Sequence, residues 1–298
     1  MSPGPSLALF IGGAHKAGTT ALYQALVQHP ELAGHAQPEL TFFVEDEQNE
    51  DGFESRTWRR YVPRALGARR FVGKHVKLFY RRTALEHLHA HSPSAHLVLL
   101  LRHPVERARS AYWHARAHGR EELPSFEAAL AAEDERVRAG RVPWHDTCYV
   151  RNGLYAGPLA DAFEVFGHER VHVHLGEDLQ ARPLELVRGL YALLGVDPAF
   201  RPDLERGANR AMRARSQGLA LLMGRVFDSR SRAKRALRAC VPERVAVALR
   251  HGLVRWNERP FQAPPIEPRT RAQLLERFRA SNERVAEQLE RDLGHWQR

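Results

Sequence analysis

A short apolar run at residues 7–11 leads into a glycine-containing segment, residues 13–20, and then into a helical pattern. The run predicts a buried strand ended by Gly12 and Gly13, and the apolar stripe behind the segment predicts a helix over residues 19–29. A tight turn between a strand and a helix directs backbone N–H groups, together with the positive end of the helix, towards one place. The segment is therefore predicted to bind an anion.

Three more strand-like runs follow, at residues 71–72, 97–101 and 171–175, and helical patterns separate them. The run at 97–101 consists of five consecutive apolar residues, which is typical of a central strand that is buried on both faces. Strands that alternate with helices predict a parallel sheet covered by helices on its faces. We therefore expect an α/β fold.

The segment at residues 13–20 differs from the phosphate loop of nucleoside triphosphatases in the position of its lysine. Gly13 and Gly18 have the spacing of that loop, but Thr19 stands where the loop requires lysine, and Lys16 lies inside the segment instead. The lysine of a nucleoside triphosphatase reaches the β and γ phosphates, and the next hydroxyl holds Mg²⁺. A lysine placed earlier would lie beside a shorter 5′ group. This argues against a nucleotide kinase, which we keep as an alternative function.

A second cationic site is predicted where the strand at residues 97–101 ends. Arg102 stands there, and no metal-binding aspartate does, while Ser110 lies on the helix that Pro104 is expected to begin. A guanidinium fork and a hydroxyl can hold a phosphate together. The alternative is a helix face with solvated charges. Taken with the first segment, this site favours a nucleotide that carries separate 5′ and 3′ anionic groups.

Together, the two segments resemble the sulfotransferases that use 3′-phosphoadenosine 5′-phosphosulfate (PAPS). Residues 16–20 with Leu22 resemble the family's 5′-phosphosulfate loop, and residues 102–112 resemble its 3′-phosphate motif. Residues 39–43, Glu-Leu-Thr-Phe-Phe, are similar to the Glu-x-x-Phe-Phe segment of the glycan-sulfating branch. The likeness covers most of residues 7–200. It implies a P-loop-like fold of three layers with a central parallel sheet, and a reaction that needs no metal.

The resemblance also implies roles for individual residues. Lys16 would stabilise the departing phosphate of PAPS, while the loop would hold the 5′ phosphate and the arginine motif the 3′ phosphate. The residues expected to bind PAPS are His15, Lys16, Ala17, Gly18, Thr19, Thr20, Arg102 and Ser110. The sulfuryl group would pass in line to a hydroxyl or amine acceptor. A carbohydrate or glycolipid is the first expectation for the acceptor, and a small metabolite follows.

Two residues are candidates for the base that takes the acceptor's proton. Glu39 is the first, from its place in the Glu-x-x-Phe-Phe segment, and its alternative role is that of a solvated carboxylate. His75 is the second, because an imidazole titrates near neutrality, and its alternative role is structural. Residues 73–77 read Gly-Lys-His-Val-Lys, whereas related members often carry Gly-Glu-Lys-Ser/Thr-Pro. Lys74 and Lys77 are therefore left with an open role, in steering an acidic acceptor or the donor.

The chain changes character near residue 206, beyond which it is rich in arginine and poor in strand signals. We expect a single domain over residues 1–298, with an α/β core at 7–205 and a basic helical region with a C-terminal helix at 206–298. The basic part, residues 210–255, has three interpretations: helices that pack with extended arginine stems, a lid, or a surface that meets anionic lipid.

The net charge of +10 favours anionic partners but does not choose among phosphates, sulfates, acidic glycans, nucleic acid and lipid. Since no aromatic-rich or zinc motif accompanies the charge, no nucleic-acid partner is expected, although a non-catalytic basic module stays as a further alternative. With only two cysteines, no secretory signal and no long apolar stretch, the chain is expected to be cytoplasmic. No metal is expected, because only His87 and His91 of the nearby histidines would share a helix face. The oligomeric state is left open.

Overall fold

The computed structural model describes residues 5–37, 39–44, 58–64, 66–67, 69–139, 147–205, 212–226, 252–254 and 256–298. The chain forms two compact units. The first comprises Met1–Pro104, Leu154–Asn209 and Phe278–Arg298, and the second comprises Val105–Gly153 and Arg210–Arg277. The single-domain organisation stays a prediction. None of the described helices is both long and apolar enough to span a membrane.

The first unit is built on a five-stranded sheet in which every neighbouring pair is parallel. Its strands are β1 (Leu9–Gly13), β2 (Leu32–Gly34), β3 (Arg70–Lys74), β4 (His96–Leu101) and β5 (Val171–Leu175). They lie in the order β2-β3-β1-β4-β5. Because the strands are parallel, their carboxyl ends meet at one edge, and the chain changes direction across the sheet beside β1. Ligands of open α/β sheets bind outside such a point.

Helices alternate with these strands, which confirms the predicted α/β fold with a central parallel sheet flanked by helices. The described helices are α1 (Thr19–Leu26), α2 (Arg82–His91), α3 (Pro104–Ala117), α4 (Phe126–Arg138), α5 (Ala156–Phe166), α6 (Gly176–Ala181), α7 (Pro183–Leu193), α8 (Gln217–Val226) and α9 (Pro268–Leu289). Three residues of β2 are too few to show a strand pattern, so β2 was not predicted.

Two predicted boundaries near the first strand are wrong. Gly12 and Gly13 are the last two residues of β1 and not the turn beyond it, and neighbouring side chains leave no room there for a larger residue. A Cβ atom on Gly12 would lie 2.9 Å from Leu97 Cδ1, and one on Gly13 would lie 2.7 Å from Phe79 Cβ. The following helix ends at Leu26, earlier than expected, because the amides of Gln28 and His29 bond to carbonyls three residues back, in the tighter pattern that closes many helices.

The second unit contains most of α3, together with α4, α8 and a two-stranded antiparallel ribbon of β6 (Met212–Ala214) and β7 (Glu258–Pro260).

The core of the second unit holds a buried polar network. Glu121 accepts hydrogen bonds from both terminal nitrogens of Arg136, at 2.6 and 2.8 Å, and from the Tyr149 hydroxyl at 2.7 Å. Glu133 accepts three backbone amides of residues 149–151, at 2.8 to 3.0 Å. These buried carboxylates are thus fully engaged, as burial of charge requires.

Candidate active site

The segment between β1 and α1 is held in a conformation that favours anion binding. Lys16 has φ 70° and Gly18 has φ 105°, so two left-handed residues alternate with Ala17 between them. Successive backbone amides in such turns form a concave site for anions. Helix α1 then begins at Thr19 without a side-chain cap, which leaves its first amides for another acceptor. The structure therefore places the predicted anion-binding segment at the carboxyl edge of the sheet.

Neighbouring elements fix this loop from two sides. The His15 amide donates to the Tyr80 hydroxyl at 3.2 Å, in the turn that follows β3. On the other side, the chain that leaves β5 lies against the loop. A Cβ atom on Gly176 would lie 3.4 Å from the Ala17 carbonyl oxygen, and one on Gly18 would lie 2.9 Å from Leu179 Cδ2. The loop is thus shaped by the ends of strands that are distant in sequence.

Arg102 is brought to the same loop from the end of β4. Its Nη1 atom donates to the Lys16 carbonyl at 3.1 Å. The Tyr155 hydroxyl donates to the Arg102 carbonyl at 2.9 Å, which fixes the backbone just beyond the strand. The arginine is half-buried, so its guanidinium is both anchored and accessible. Two of the predicted cationic residues, from the two separate motifs, therefore lie side by side.

A third segment, which the sequence did not indicate, packs behind Arg102. Trp296 is fully buried, its ring centroid lies 6.0 Å from that of Tyr155 and 6.4 Å from that of His103, and its Nε1 donates to Glu177 Oε1 at 3.3 Å. Arg291 pairs with Asp178 through two bonds of 2.8 Å. Nothing in the spacing of residues 291–296 signals this role, because it depends on tertiary contacts alone.

Ser110, the second predicted 3′-phosphate residue, lies on α3 in the second unit and is half-buried. Its pairing with Arg102 stays a prediction. In the same unit, Arg213 lies 5.1 Å from the centroid of the Phe261 ring, a cation–π contact that accounts for its position. Of the basic region, residues 206–211 and 227–251 lie outside the described part of the chain, so its three interpretations are left as they stand.

Glu39 forms an ion pair with Lys74, the last residue of β3. The Leu40 amide also donates to the Lys74 carbonyl at 2.9 Å, which ties the Glu39 backbone to the sheet edge. Behind Glu39, the two phenylalanines of its segment pack in an aromatic cluster, with the Phe43 ring 5.9 Å from Phe10 and 5.6 Å from Trp58 between centroids. The apolar residues of the segment thus anchor it, and the carboxylate is placed at the same edge as the loop.

The environments of the two candidate bases differ. Burial raises the pKa of the Glu39 carboxyl above its usual value, and the neighbouring Lys74 ammonium opposes that rise. His75 is buried, and its Nδ1 accepts the Lys77 amide at 3.2 Å, so the neutral ring carries its proton on Nε2. A ring held in this way can donate a hydrogen bond from Nε2, whereas Glu39 can accept a proton.

The described residues contain no group of three side chains that could bind a metal ion. Among the histidines near one another in sequence, His91 packs against Trp58 with 4.4 Å between ring centroids, and burial lowers its pKa. His91 is therefore part of the aromatic cluster behind Glu39.

No family model matches the chain. A solved sulfotransferase structure from Alicyclobacillus acidocaldarius superposes on it with a TM-score of 0.71 and 26% identity, covering 99% of this chain and 100% of that one. The bifunctional heparan sulfate N-deacetylase/N-sulfotransferase of Drosophila melanogaster is 28% identical over 65% of this chain and 21% of its own length. The human heparan sulfate glucosamine 3-O-sulfotransferase 6 is 33% identical over 62% of this chain and 51% of its own length. The chain thus spans less than two thirds of these two curated relatives.

The superposition with the bacterial structure covers almost the full length of both proteins, and the curated relatives align with most of this chain. Both kinds of similarity agree with the family that the loop and the arginine motif resemble. In sequence and in fold, the chain is similar to sulfotransferases.

Proposed function

We propose that this protein transfers a sulfuryl group from PAPS to a hydroxyl or amine group of an acceptor, and that the acceptor is a carbohydrate or a glycolipid. Three features support the proposal: the anion-binding loop after β1, the arginine at the end of β4, and the carboxylate at the end of β3. All three belong to the first unit and to one edge of its sheet.

The observation that carries the proposal is the hydrogen bond of 3.1 Å from Arg102 Nη1 to the Lys16 carbonyl. It joins a loop suited to a 5′ phosphate to a guanidinium suited to a second phosphate. A nucleoside triphosphate has its phosphates in one chain and needs a metal-binding acid at the end of this strand. PAPS carries its anionic groups on opposite sides of the ribose, which fits two cationic sites from separate segments better.

On the donor side, the loop amides and the hydroxyls of Thr19 and Thr20 hold the 5′ phosphate. Lys16 lies in the same loop, and its ammonium stabilises the negative charge that grows on the bridging oxygen as the S–O bond breaks. Arg102 binds the 3′ phosphate through its fork of donors. The product is 3′-phosphoadenosine 5′-phosphate (PAP), which leaves with the electron pair of the broken bond.

On the acceptor side, Glu39 takes the proton. The acceptor oxygen or nitrogen attacks sulfur in line with the departing phosphate, a new S–O or S–N bond forms, and the acceptor proton passes to the carboxylate. His75 donates a hydrogen bond from Nε2 and orients the acceptor or the transferred group. The carboxylate must be ionised before each turnover, so activity falls as the pH drops below the pKa of Glu39.

The acceptor class is proposed from the relatives and from charge. The two curated relatives are named for action on heparan sulfate, which is a glycan. The net charge of +10 on this chain suits an acidic carbohydrate. The kinase alternative is not favoured, since Thr19 stands in place of its lysine. A non-catalytic basic module would need neither the Glu39 carboxylate nor selectivity for a 3′ phosphate.

Calorimetric titration with PAP and with ADP tests the donor. PAP is expected to bind at least about tenfold more tightly than ADP, because only PAP reaches both cationic sites; a tenfold difference corresponds to about 1.4 kcal/mol. Lys16→Ala is expected to weaken the binding of both nucleotides, whereas Arg102→Ala is expected to weaken mainly the binding of PAP. A screen of carbohydrates with sulfur-labelled PAPS then identifies the acceptor.

Equal affinity of the wild-type protein for PAP and ADP would contradict the proposal. Binding of ATP that depends on Mg²⁺ would favour the kinase instead. A basic module predicts weak binding of both nucleotides, unaffected by Lys16→Ala and steeply dependent on salt.

A further inference from the structure

The end of β3 carries a buried cation. Lys74 is the last residue of that strand and is 2% exposed. A buried ammonium is costly unless a counter-charge neutralises it. In this chain the counter-charge is Glu39, from a segment 35 residues earlier. The buried cation thus lies beside the carboxylate that the proposed function uses.

The ion pair leaves the Glu39 carboxylate with two unlike oxygens. Lys74 Nζ binds Oε1. Oε2 has no hydrogen-bonding partner within the described ranges, although the nearby Val76 amide also lowers the pKa of the carboxyl, less than Lys74 does. The backbone holds the pair as well, since the Leu40 amide donates to the Lys74 carbonyl at 2.9 Å. Lys74 therefore fixes one oxygen, while the other, which is buried, has no such partner.

We propose that Lys74 is a positioning residue that orients Glu39 and keeps it ionised between turnovers. The inference rests on the proposed function, in which Glu39 takes the acceptor proton. In the absence of Lys74, the half-buried carboxylate would hold its proton at a pH where the wild-type group has already lost it.

The other charged and titratable groups around Glu39 cannot replace Lys74. Burial, and in addition the charge of Lys74, lowers the pKa of His35 to about 4, although its bond to the Gln37 carbonyl opposes this, so its ring is neutral at pH 7. Burial raises the pKa of Tyr23, and the nearby Glu39 charge adds to this, so its phenol is also neutral. Lys77 is a second cation, with a weaker influence on Glu39 than Lys74. Lys74 is thus the principal source of positive charge.

The test compares pH profiles of kcat for labelled sulfuryl transfer in wild type, Lys74→Met, Lys74→Arg and Lys77→Met. An adjacent opposite charge lowers the pKa of a carboxyl by about 1 to 3 units. Lys74→Met is therefore expected to move the acid limb, the part of the profile where kcat falls as the pH drops, to higher pH by at least about one unit. Lys74→Arg keeps the charge and is expected to keep the limb within about half a unit. Lys77→Met is expected to give a smaller shift than Lys74→Met.

Two further measurements separate this role from a structural one. PAP affinity of Lys74→Met, measured by calorimetry, is expected to stay within about threefold of wild type, because the donor residues are unchanged. A carbon-13 titration of the Glu39 carboxyl in the ligand-free protein is expected to show the same upward shift. If Lys74→Met does not fold, the double variant Lys74→Met with Glu39→Gln removes both charges and is expected to fold without activity, and Lys74→Arg then carries the pH comparison.

The outcomes are distinct from those of the proposed function. A wild-type protein that binds no PAP and transfers no sulfuryl group contradicts the function itself. A wild-type protein that does both, with Lys74→Met showing the wild-type acid limb and an unmoved Glu39 titration, overturns only the role of Lys74.

Discussion

Arg102 Nη1 donates to the carbonyl of Lys16, a residue 86 positions earlier in the chain, at 3.1 Å. The bond couples the two cationic segments that the sequence separates. A change in the arginine therefore affects the loop as well as the ligand, and the two effects can be distinguished by comparing nucleotides with and without a 3′ phosphate.

Replacement of Arg102 by lysine is expected to weaken PAP binding about tenfold, although the charge is kept. An ammonium cannot bind a phosphate and the Lys16 carbonyl through one rigid fork. ADP affinity is expected to change less than about threefold, since ADP lacks the 3′ group. Calorimetry on both nucleotides checks this. An equal loss for PAP and ADP would mean that Arg102 acts only on the loop conformation.

Gly18→Ala is expected to destabilise the loop. At φ 105° a side chain costs about 1–2 kcal/mol, and the added Cβ would lie 2.9 Å from Leu179 Cδ2. We expect the unfolding free energy to fall by about that amount and PAP affinity to fall about tenfold. Gly157→Ala is the matched control, because it lies in α5 with open space around it. A Gly18→Ala protein with wild-type PAP affinity would contradict the role of the loop amides.

His75→Gln and His75→Ala distinguish a hydrogen-bond donor from a base. Glutamine can accept the Lys77 amide and still donate, so His75→Gln is expected to lose less than about tenfold in kcat. His75→Ala removes both contacts and is expected to lose more. The acid limb of the pH profile should stay in place in both variants. Loss of that limb in His75→Gln would instead identify the imidazole as the base.

Trp296→Ala is expected to lower the unfolding free energy by about 3–5 kcal/mol, because the side chain is fully buried. Trp296→Phe is expected to fold because it keeps a ring against Tyr155, although it loses the hydrogen bond to Glu177. We expect its PAP affinity to fall a few-fold and its ADP affinity to stay, since the contacts of Trp296 lead to Arg102. Parallel losses for both nucleotides would indicate a purely structural role.

The buried Glu121 predicts acid sensitivity of the second unit. Burial alone would raise the pKa of its carboxyl, but the bonds from Arg136, the Leu123 amide and Tyr149 outweigh burial and hold the pKa below its usual value. The unfolded state then binds a proton first, so stability is present above the unfolded pKa and is lost as the pH falls through the folded one.

Chemical denaturation between roughly pH 6 and 3 measures this loss. Glu121→Gln is expected to be less stable at pH 6 and to show a flatter pH dependence. Glu122→Gln, which changes an exposed neighbour paired with Arg225, is the control and is expected to keep the wild-type slope. A wild-type slope in Glu121→Gln would show that other carboxylates govern acid unfolding.

The sequence predicted the elements whose signal is local. The five apolar residues of β4 and the turn that follows β1 need no knowledge of distant contacts, and both are where they were expected. β2 was missed because three residues carry too little pattern. The boundary of β1 was misplaced because glycine usually lies beyond the end of a strand. Here glycine lies inside the strand, because the side chains of Leu97 and Phe79 leave no room for a larger residue.

The sequence indicated candidate residues for the site but not their contacts. The motifs indicated Lys16, Arg102 and Glu39, yet the partner of Glu39 and the segment around Trp296 follow only from the folded chain. The cytoplasmic location, the lipid contact of residues 210–255 and the pairing of Ser110 with Arg102 stay predictions.

The position of β1 between β3 and β4 has a consequence for how the protein matures. Residues that shape the loop come from the ends of four strands, the last of them β5. The loop therefore cannot reach its folded conformation until all four strands have been synthesised. Synthesis must pass residue 179 before the contacts from the β5 side can form, and a truncated product that ends after α3 would carry both motifs without those contacts.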